Sequence, residues 1–445
     1  MTDVRRAGLL GLSRYHWIVL AAAWLGWGFD VFDALLFNFV APNCVPALLG
    51  LSLGSPEARA ATVFWTGVLT SILLVGWAAG GLIFGWFADR YGRKRALFVT
   101  IALYACGTAL CAIAQDMSQL VLFRVLAALG IGGEWAVGAA LVAETVPEDR
   151  RVEAATLVYT SSPLGIMLAS TLNYHIAGVW FAGSPQTSWR YVFLCGLAPV
   201  VVAFFARLFV RESEVWERQV RRSRPPALRE LFSPEIRALT ISGLVAAVAA
   251  LLTWWACNAF VPLLGATLAN EYAAQAGLAG EAARTLAEAW KSQASNGFNL
   301  GGLLGALAAI PLARVMGRRT MFVTYFLYSA ALLFATFGLD LAPRARLLML
   351  AAVGVGVYGV FSTFVFYLPE LFPARLRATG SGLCYNIGRV VAALGPTVVG
   401  LISAAAGGSS DIIVRTLFWL GVIPLVTALS ARFVIIETRG RPLPL

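Results

Sequence analysis

Long apolar stretches recur from one end of this chain to the other, and they constrain its fold more than any other feature. Each is roughly 20 residues or longer, the length that a helix needs to cross about 30 Å of hydrocarbon. Hydrophobic residues make up 59% of the 445 residues, and charged residues only 13%. Because backbone polar groups in lipid must be satisfied internally, the pattern predicts an all-α membrane protein embedded in the lipid bilayer.

The apolar stretches predict twelve transmembrane helices. Their approximate bounds are 15–42, 62–87, 96–115, 119–145, 153–181, 189–210, 238–268, 294–316, 320–341, 347–369, 378–406 and 411–436. The long outer loop, 270–293, carries charges at helical spacing, namely Glu281, Arg284, Glu288 and Lys291. We expect a short solvated helix there, with no function required of it.

The net charge of +11 is distributed unevenly between alternate loops. The N-terminal segment, every second loop and the C-terminal tail hold most of the basic residues, whereas the other loops hold few: Arg59, Arg190, Arg284, Lys291, Arg344, Arg346 and Arg415. This is the positive-inside pattern, so both the N and C termini are predicted to be cytoplasmic. Basic residues between membrane spans do not indicate a nucleic-acid partner.

An internal repeat divides the chain into two halves. Three landmarks recur at offsets of 225 or 226: Gly92-Arg-Lys at Gly317-Arg-Arg, Glu144-Thr-Val-Pro147 at Glu370-Leu-Phe-Pro373, and Tyr159 at Tyr385. We therefore predict two six-helix bundles, residues 1–210 and 238–445, joined by a basic cytoplasmic linker at 211–237. Parallel repeats of this kind place a ligand site between the halves near the midplane of the membrane.

The loop after the second span carries a family signature. Gly85-Trp-Phe-Ala-Asp89-Arg90-Tyr-Gly92-Arg93-Lys94-Arg95 matches the G-x-x-x-D-R-x-G-R-R/K pattern of the major facilitator superfamily, which the chain resembles over its whole length. Span 1 (Phe29 to Asp33), span 4 (Arg124, Gly132-Gly-Glu134-Trp135) and residues 375–389 resemble the branch of sialate/lactate and aromatic-acid proton symporters. Two departures are Val31, where the branch has glycine, and Arg314, where the repeated motif would have aspartate.

Four ionisable residues inside the predicted spans are candidates for proton coupling: Asp30, Asp33, Arg124 and Glu134. Such a residue in a span costs at least about 2.5 to 3.5 kcal/mol on insertion scales, so it requires a partner or a function. Asp30 and Asp33 share a helix face, and Arg124 lies at a similar depth. Two desolvated carboxylates beside one guanidinium favour proton uptake by one of them. The alternative is a static ion-pair network, and for Glu134 a packing role.

Arg389 is the main candidate for substrate binding. It lies about 11 residues into span 11, in a segment that contains no acidic residue. Its planar guanidinium can bind a carboxylate with two hydrogen bonds, and it retains its charge. Weaker candidates for the lining of the same site are Tyr385, Asn386, Asn258 and Trp254. The alternative for Arg389 is a structural role, bonded to backbone carbonyls of a neighbouring helix.

A further set of charges is predicted at the cytoplasmic ends of the spans. The resemblance implies that these residues close an inner gate: Asp89, Arg93, Glu144, Arg150, Arg319, Glu370 and Arg377. As solvated loop charges, they would contribute little to stability.

The resemblance implies proton-coupled uptake of a small organic anion, such as a monocarboxylate, sialate or aromatic acid, across a bacterial-type inner membrane. Protons would be the coupling ion, with no other cofactor, and the carrier is expected to act as a monomer. A facilitator or antiporter remains the alternative within transport. A sensor or an enzyme is disfavoured, since we find no segment for a soluble sensor domain and no nucleophile, base or metal cluster.

Overall fold

The computed structural model describes residues 12–147, 150–197, 201, 205, 228–373, 376–405 and 410–439. Within these ranges, the side chains of 89, 90, 93, 134–141, 143, 144, 151–153, 155, 310, 314, 365, 377, 378, 403 and 404 lie outside the description. The described elements are all helices. Nine of them are long and apolar enough to cross a membrane. The predicted all-α membrane fold is confirmed, whereas the number of twelve spans stays a prediction.

In the first half, the described residues form seven α-helices and one π-helical segment. They are α1 (Arg14–Leu49), α2 (Pro56–Tyr91), α3 (Arg93–Ile113), α4 (Met117–Thr145), α5 (Arg151–Tyr159), α6 (Ser161–Asn173), the π-helix Tyr174–Trp180, and α7 (Pro185–Cys195). Local sequence sets several of the ends. The side chains of Ser13 and Asp116 accept backbone N–H groups at the starts of α1 and α4. Gly50 ends α1 with φ 66°, a left-handed conformation that favours glycine.

Within the described part of the second half, nine α-helices follow a short 3-10 helix, Leu228–Phe232. They are α8 (Arg237–Gln275), α9 (Gly280–Met316), α10 (Arg318–Gly338), α11 (Pro343–Val357), α12 (Phe361–Leu371), α13 (Arg377–Ala392), α14 (Leu394–Ala405), α15 (Ser410–Leu420) and α16 (Val422–Val434). Small residues let α9 and α11 approach closely. A Cβ at Gly301 would overlap the carbonyl of Ala351, and one at Gly354 would overlap the carbonyl of Phe298.

The helix bundle has two ends that differ in their loops. The loops at Gly92 and Gly317 define what we call the basic end, and the loops at 50–55 and 276–279 define the opposite end. Leu53, Pro185 and Arg284 line one surface pocket, so residues of the first half meet the start of α9 at the opposite end. Successive long helices therefore run in opposite directions between the basic end and the opposite end.

Two seams join the halves, both in the parts of the helices nearer the opposite end. In the first, α2 packs on α14, and Gly67 lies against the carbonyl of Pro396. The Thr397 hydroxyl donates a hydrogen bond of 2.6 Å to the Ser71 hydroxyl. In the second, α9 packs on α6 and on the π-helix. A Ser170–Ser292 hydrogen bond of 3.0 Å lies in this second seam.

The expectation of a short solvated helix in 270–293 is wrong. These residues belong to the end of α8 and the first part of α9, which runs unbroken from Gly280 to Met316. Only the early part of this segment is exposed, and Lys291 is 1% exposed. The spacing of the charges is helical, as expected, but one face of the helix is buried against the first half of the chain. Helical spacing alone does not distinguish a solvated face from a buried one.

Candidate functional site

A cluster of aromatic side chains lies at the contact between the two halves. Trp27, Trp77 and Tyr159 come from the first half, and Trp254, Trp255, Tyr358 and Phe361 from the second. The Trp77 and Trp255 ring centroids are 5.9 Å apart, and the Tyr159 and Tyr358 centroids 6.4 Å. Within the second half, Trp254 lies 5.0 Å from Tyr358. Edge-on and tilted arrangements dominate, as expected for aromatic rings that attract through their quadrupoles.

Arg389 is buried in this cluster, at 3% exposure. Its guanidinium carbon lies 4.6 Å from the centre of the Trp77 ring and 4.8 Å from that of Tyr385. One Nη donates to the Asn386 Oδ1 at 3.1 Å, and the Tyr385 hydroxyl is also hydrogen-bonded to Arg389. The rings, the amide and the phenol are all neutral groups, and together they fix the plane of the guanidinium.

Hydroxyl groups connect the halves beside this arginine. The Ser162 and Tyr358 hydroxyls are 2.5 Å apart, across α6 and the turn after α11. Tyr159 and Tyr385, which the internal repeat aligns with each other, share a side-chain hydrogen bond. A relative movement of the halves must therefore break these bonds.

Three buried N–H donors in the same region have no hydrogen-bond acceptor among the residues that the structure describes. They are Trp77 Nε1, Trp254 Nε1 and Asn258 Nδ2. A buried donor without an acceptor is costly, and such donors often point to a ligand. Trp254 and Asn258 lie four residues apart on α8 and therefore on one face of that helix. The cluster thus offers a fixed cation and several donors in an aromatic surrounding, a combination suited to a ligand rich in acceptor oxygens.

The structure brings two of the four proton-coupling candidates together. Asp33 Oδ2 lies 3.9 Å from Arg124 Nη1, and both side chains are buried. Asp33 Oδ1 accepts a hydrogen bond from the Thr108 hydroxyl at 2.7 Å. Arg124 also donates to the backbone carbonyls of Asp33 and Ala34, the latter at 2.8 Å. The Asp33 carboxylate is therefore held by one good hydrogen bond and a long ion pair.

Of the other two proton-coupling candidates, the structure describes the side chain of Asp30 but not that of Glu134. The Asp30 side chain is fully buried one helical turn before Asp33. The Glu134 side chain lies outside the described residues. For Asp33, Oδ2 accepts no hydrogen bond within the described part of the chain, so this oxygen is the atom best placed to take up a proton.

Charges at the basic end of the second half form a compact cluster. Arg318 makes two hydrogen bonds to Glu370, at 2.6 and 3.0 Å, and Thr438 donates to the same carboxylate at 2.6 Å. Arg319, another of the predicted gate residues, donates its Nε to the carbonyl of Ile435. Arg150 is half-buried at the start of α5. The side chains of Asp89, Arg93, Glu144 and Arg377 lie outside the described residues.

Sequence reasoning missed Glu437, which follows the last helix. Its carboxylate accepts the backbone N–H groups of Arg318 and Arg319, at 2.9 and 3.0 Å, and so caps the start of α10. Burial acts to raise the pKa of Glu437, but the backbone donors of Arg318, Arg439 and Arg319 and the charge of Arg318 hold that pKa below its usual value. A lone acidic residue in a basic tail was the available signal.

The comparisons with known proteins agree with the fold and with the signature in the loop at Gly92. The model of the Major Facilitator Superfamily matches residues 17–396. A "Probable 4-methylmuconolactone transporter" of Cupriavidus pinatubonensis is 31% identical over 434 residues, which cover 94% of this chain and 90% of that protein. A 3-(3-hydroxy-phenyl)propionate transporter of Escherichia coli is 27% identical over 398 residues, covering 88% and 89%.

A solved D-xylose-proton symporter has the same fold, with a TM-score of 0.74 at 16% identity, covering 96% of this chain and 100% of that chain. The chain belongs to the major facilitator superfamily, and it is an integral membrane transporter of small metabolites.

Proposed function

We propose that this transporter takes up a small carboxylate, preferably one with an unsaturated or aromatic body, together with protons. The observation that carries the proposal is the buried Arg389 in an aromatic cluster, beside three donors that have no acceptor among the described residues. A carboxylate would bind the in-plane N–H groups of the guanidinium, since Trp77 and Tyr385 lie against its faces. The surrounding rings favour a flat apolar body.

The cargo names of the two relatives support this substrate class. One is a muconolactone and the other a phenylpropionate. The D-xylose symporter supports the fold only, because its identity to this chain is 16%. Sialates and simple monocarboxylates are the remaining candidates of the same charge.

Protons are proposed as the coupling ion, with no other cofactor, and Asp33 as the leading carrier. The support is the geometry of Asp33, with one oxygen held by Thr108 and the other facing Arg124 at 3.9 Å. When Asp33 takes up a proton, it gives up its attraction to Arg124, which can loosen α1 from α4. Asp30 and Glu134 are the alternative carriers.

The proposed topology is twelve spans in two six-helix bundles, with the basic end and both termini in the cytoplasm and one chain sufficient for transport. The distribution of Lys and Arg between alternate loops supports it. Its test uses Ser223, in the linker outside the described residues. Ser223→Cys should react with an impermeant maleimide only from the cytoplasmic side, and labelling from the periplasm would overturn the orientation.

The function is tested by uptake into proteoliposomes. The panel contains radiolabelled aromatic acids, muconolactone, nicotinate, sialate, mono- and dicarboxylates, and neutral sugars, each with and without an inward proton gradient. We expect an aromatic or unsaturated carboxylate to accumulate only with the gradient. A neutral sugar as the best cargo would overturn the substrate class.

Facilitated diffusion or antiport is the alternative, and the same panel separates it from symport. A facilitator would equilibrate its cargo with or without the gradient, and an antiporter would need a counter-substrate inside the vesicle. Either result would remove the role proposed for Asp33 and would leave that of Arg389 intact.

A further inference from the structure

A buried ion pair lies in the second seam, close to the opposite end. Lys291 Nζ and Glu288 Oε2 of α9 are 2.6 Å apart, and their side chains are 1% and 12% exposed. They are three residues apart on one helix, so the pair belongs entirely to the second half of the molecule. Its burial comes from the first half, which covers it.

The pair is bonded to two helices of the first half. Asn43 of α1 donates its Nδ2 to Glu288 Oε1 at 3.3 Å, and Asn173 of α6 donates its Nδ2 to Glu288 Oε2 at 2.9 Å. Lys291 donates to the backbone carbonyl of Phe39 in α1 at 2.8 Å. Three hydrogen bonds to charged groups therefore cross from one half to the other at this level.

The backbone next to these bonds has an unusual form. The π-helix Tyr174–Trp180 begins directly after Asn173, and π-helical turns inside longer helices often occur at functional sites. It brings Gly178 against Glu288, where a Cβ on residue 178 would lie 2.8 Å from the Glu288 Cβ. The wide turn and the glycine together allow the first half to close over the carboxylate.

The distribution of these bonds suits a contact that must open and close. The ion pair stays within α9, so separating the halves does not separate the two charges. What breaks are hydrogen bonds between this charged pair and neutral groups of the first half, and water can replace those neutral groups once the seam opens. A cross-half ion pair would instead leave each charge to be solvated separately, which is much more costly when the charges are buried.

We propose that Glu288 and Lys291 form a latch that holds the two halves closed at the opposite end. Asn43 and Asn173 are the side chains of the first half to which the latch is hydrogen-bonded. The proposal rests on alternating access and on the proposed orientation, which makes this end the periplasmic one, but not on the identity of the cargo. The latch releases when the transporter opens to the outside. It also connects the outer closure to α1, the helix that carries Asp30 and Asp33.

The test measures how often the seam opens, without any substrate. Ser292→Cys, which replaces a residue in the seam, serves as the reporter, and an impermeant maleimide is applied from the periplasmic side. Labelling of the parent without this cysteine is subtracted, because the chain has native cysteines such as Cys106 and Cys195, which are exposed. Asn43→Ala and Asn173→Ala are then added to the reporter, singly and together.

We expect each single substitution to raise the labelling rate by roughly ten-fold and the double substitution to raise it further, since one hydrogen bond to a charged group contributes at least the free energy of a ten-fold change. The matched control is Asn270→Ala, which removes an exposed asparagine at the same end and should leave the rate unchanged. An unchanged rate in a folded double variant would overturn the latch.

Misfolding is excluded by size-exclusion profiles, and Asn43→Ala provides a second check because Asn43 belongs to α1, whereas Asn173 directly precedes the π-helix in the chain. The test is also separate from the proposed function. If no carboxylate is taken up but labelling rises in the asparagine variants, the proposed substrate class is wrong and the latch is retained. If the expected acid is taken up but labelling does not change in these variants, only the latch is wrong. Labelling that rises only from the cytoplasmic side would overturn its placement at the outer end.

Discussion

Two buried arginines, one in each half, are held in different ways. Arg124 lies beside a carboxylate of its own chain, Asp33, and caps two backbone carbonyls of α1. The groups that hold Arg389 are an amide, a phenol and two aromatic ring faces. Both side chains are almost fully buried, so the difference lies in the groups that they contact and not in their exposure.

The difference indicates two functions. A guanidinium that already has a carboxylate partner responds when that partner gains a proton, so Arg124 and Asp33 suit coupling. Arg389 is bonded to an amide and lies against two aromatic ring faces in the cluster between the halves, so its guanidinium suits the binding of a carboxylate substrate. Three predictions test this division, in order of the expected effect, and a fourth concerns a charge outside both arginine sites.

The first prediction concerns Arg389. Arg389→Ala should weaken binding of the carboxylate by roughly 2 to 5 kcal/mol, and Arg389→Lys should weaken it less, because lysine retains the charge but not the bidentate geometry. Competition binding to the solubilised protein measures both. Arg415→Ala, an exposed arginine of α15, is the control. Near-normal affinity in folded Arg389→Ala would show that Arg389 does not bind the substrate.

The second prediction concerns the carboxylates beside Arg124. Asp33→Asn should abolish accumulation against a gradient but leave exchange of bound substrate, because the amide imitates the protonated acid and cannot release a proton. Asp30→Asn should do the same if Asp30 is the carrier. Proteoliposome uptake with a proton gradient is the measurement, and exposed Asp340→Asn is the control. Gradient-driven uptake in both variants would move the proton site to Glu134.

The third prediction concerns the ring that stacks on Arg389 from the other half. Trp77→Leu should weaken carboxylate binding by about 0.5 to 2 kcal/mol, since it removes a buried cation–π contact. Trp77→Phe should weaken it less. The exposed Trp180→Leu serves as the control in the same binding assay. Equal affinities in all three variants would show that Trp77 packs beside the arginine without orienting it.

The fourth prediction concerns a charge outside both arginine sites. Glu437→Gln should lower stability by about 0.3 to 1 kcal/mol, the usual contribution of a carboxylate at a helix N-terminus. Because the pKa of Glu437 is lowered in the folded protein, this stability is present above the ordinary glutamate pKa of about 4.3 and is lost as the pH falls through the lower folded value.

Thermal unfolding of the solubilised protein at several pH values measures this effect. The difference between the wild type and Glu437→Gln should be constant near neutral pH and shrink only below about pH 4. Asp340→Asn, at an exposed position in the loop after α10, should show no such difference. A difference that shrinks already at pH 6 would contradict the lowered pKa.

Much of this architecture was readable from the sequence. Apolar length and the signature at Gly92 predicted a helical membrane transporter, because lipid leaves the backbone few alternatives. The depth of Asp33 and Arg124 along their helices was also readable, since the rise per residue is fixed. Residues 378–406 contain no acidic residue, and this also made Arg389 recognisable from the sequence as a candidate anion-binding residue.

The lateral packing of the helices was decided only in three dimensions. The sequence gives no sign that Trp77 of α2 stacks on Arg389 of α13, or that Glu370 bonds Arg318 and not Arg319, since adjacent residues on a helix point about 100° apart and either could face the partner. Glu288 and Lys291 show it most clearly. Their spacing is that of a solvated helix, and only the asparagines supplied by α1 and α6 make them a buried pair. Periodicity fixes which residues share a face, and the neighbouring helix decides what that face meets.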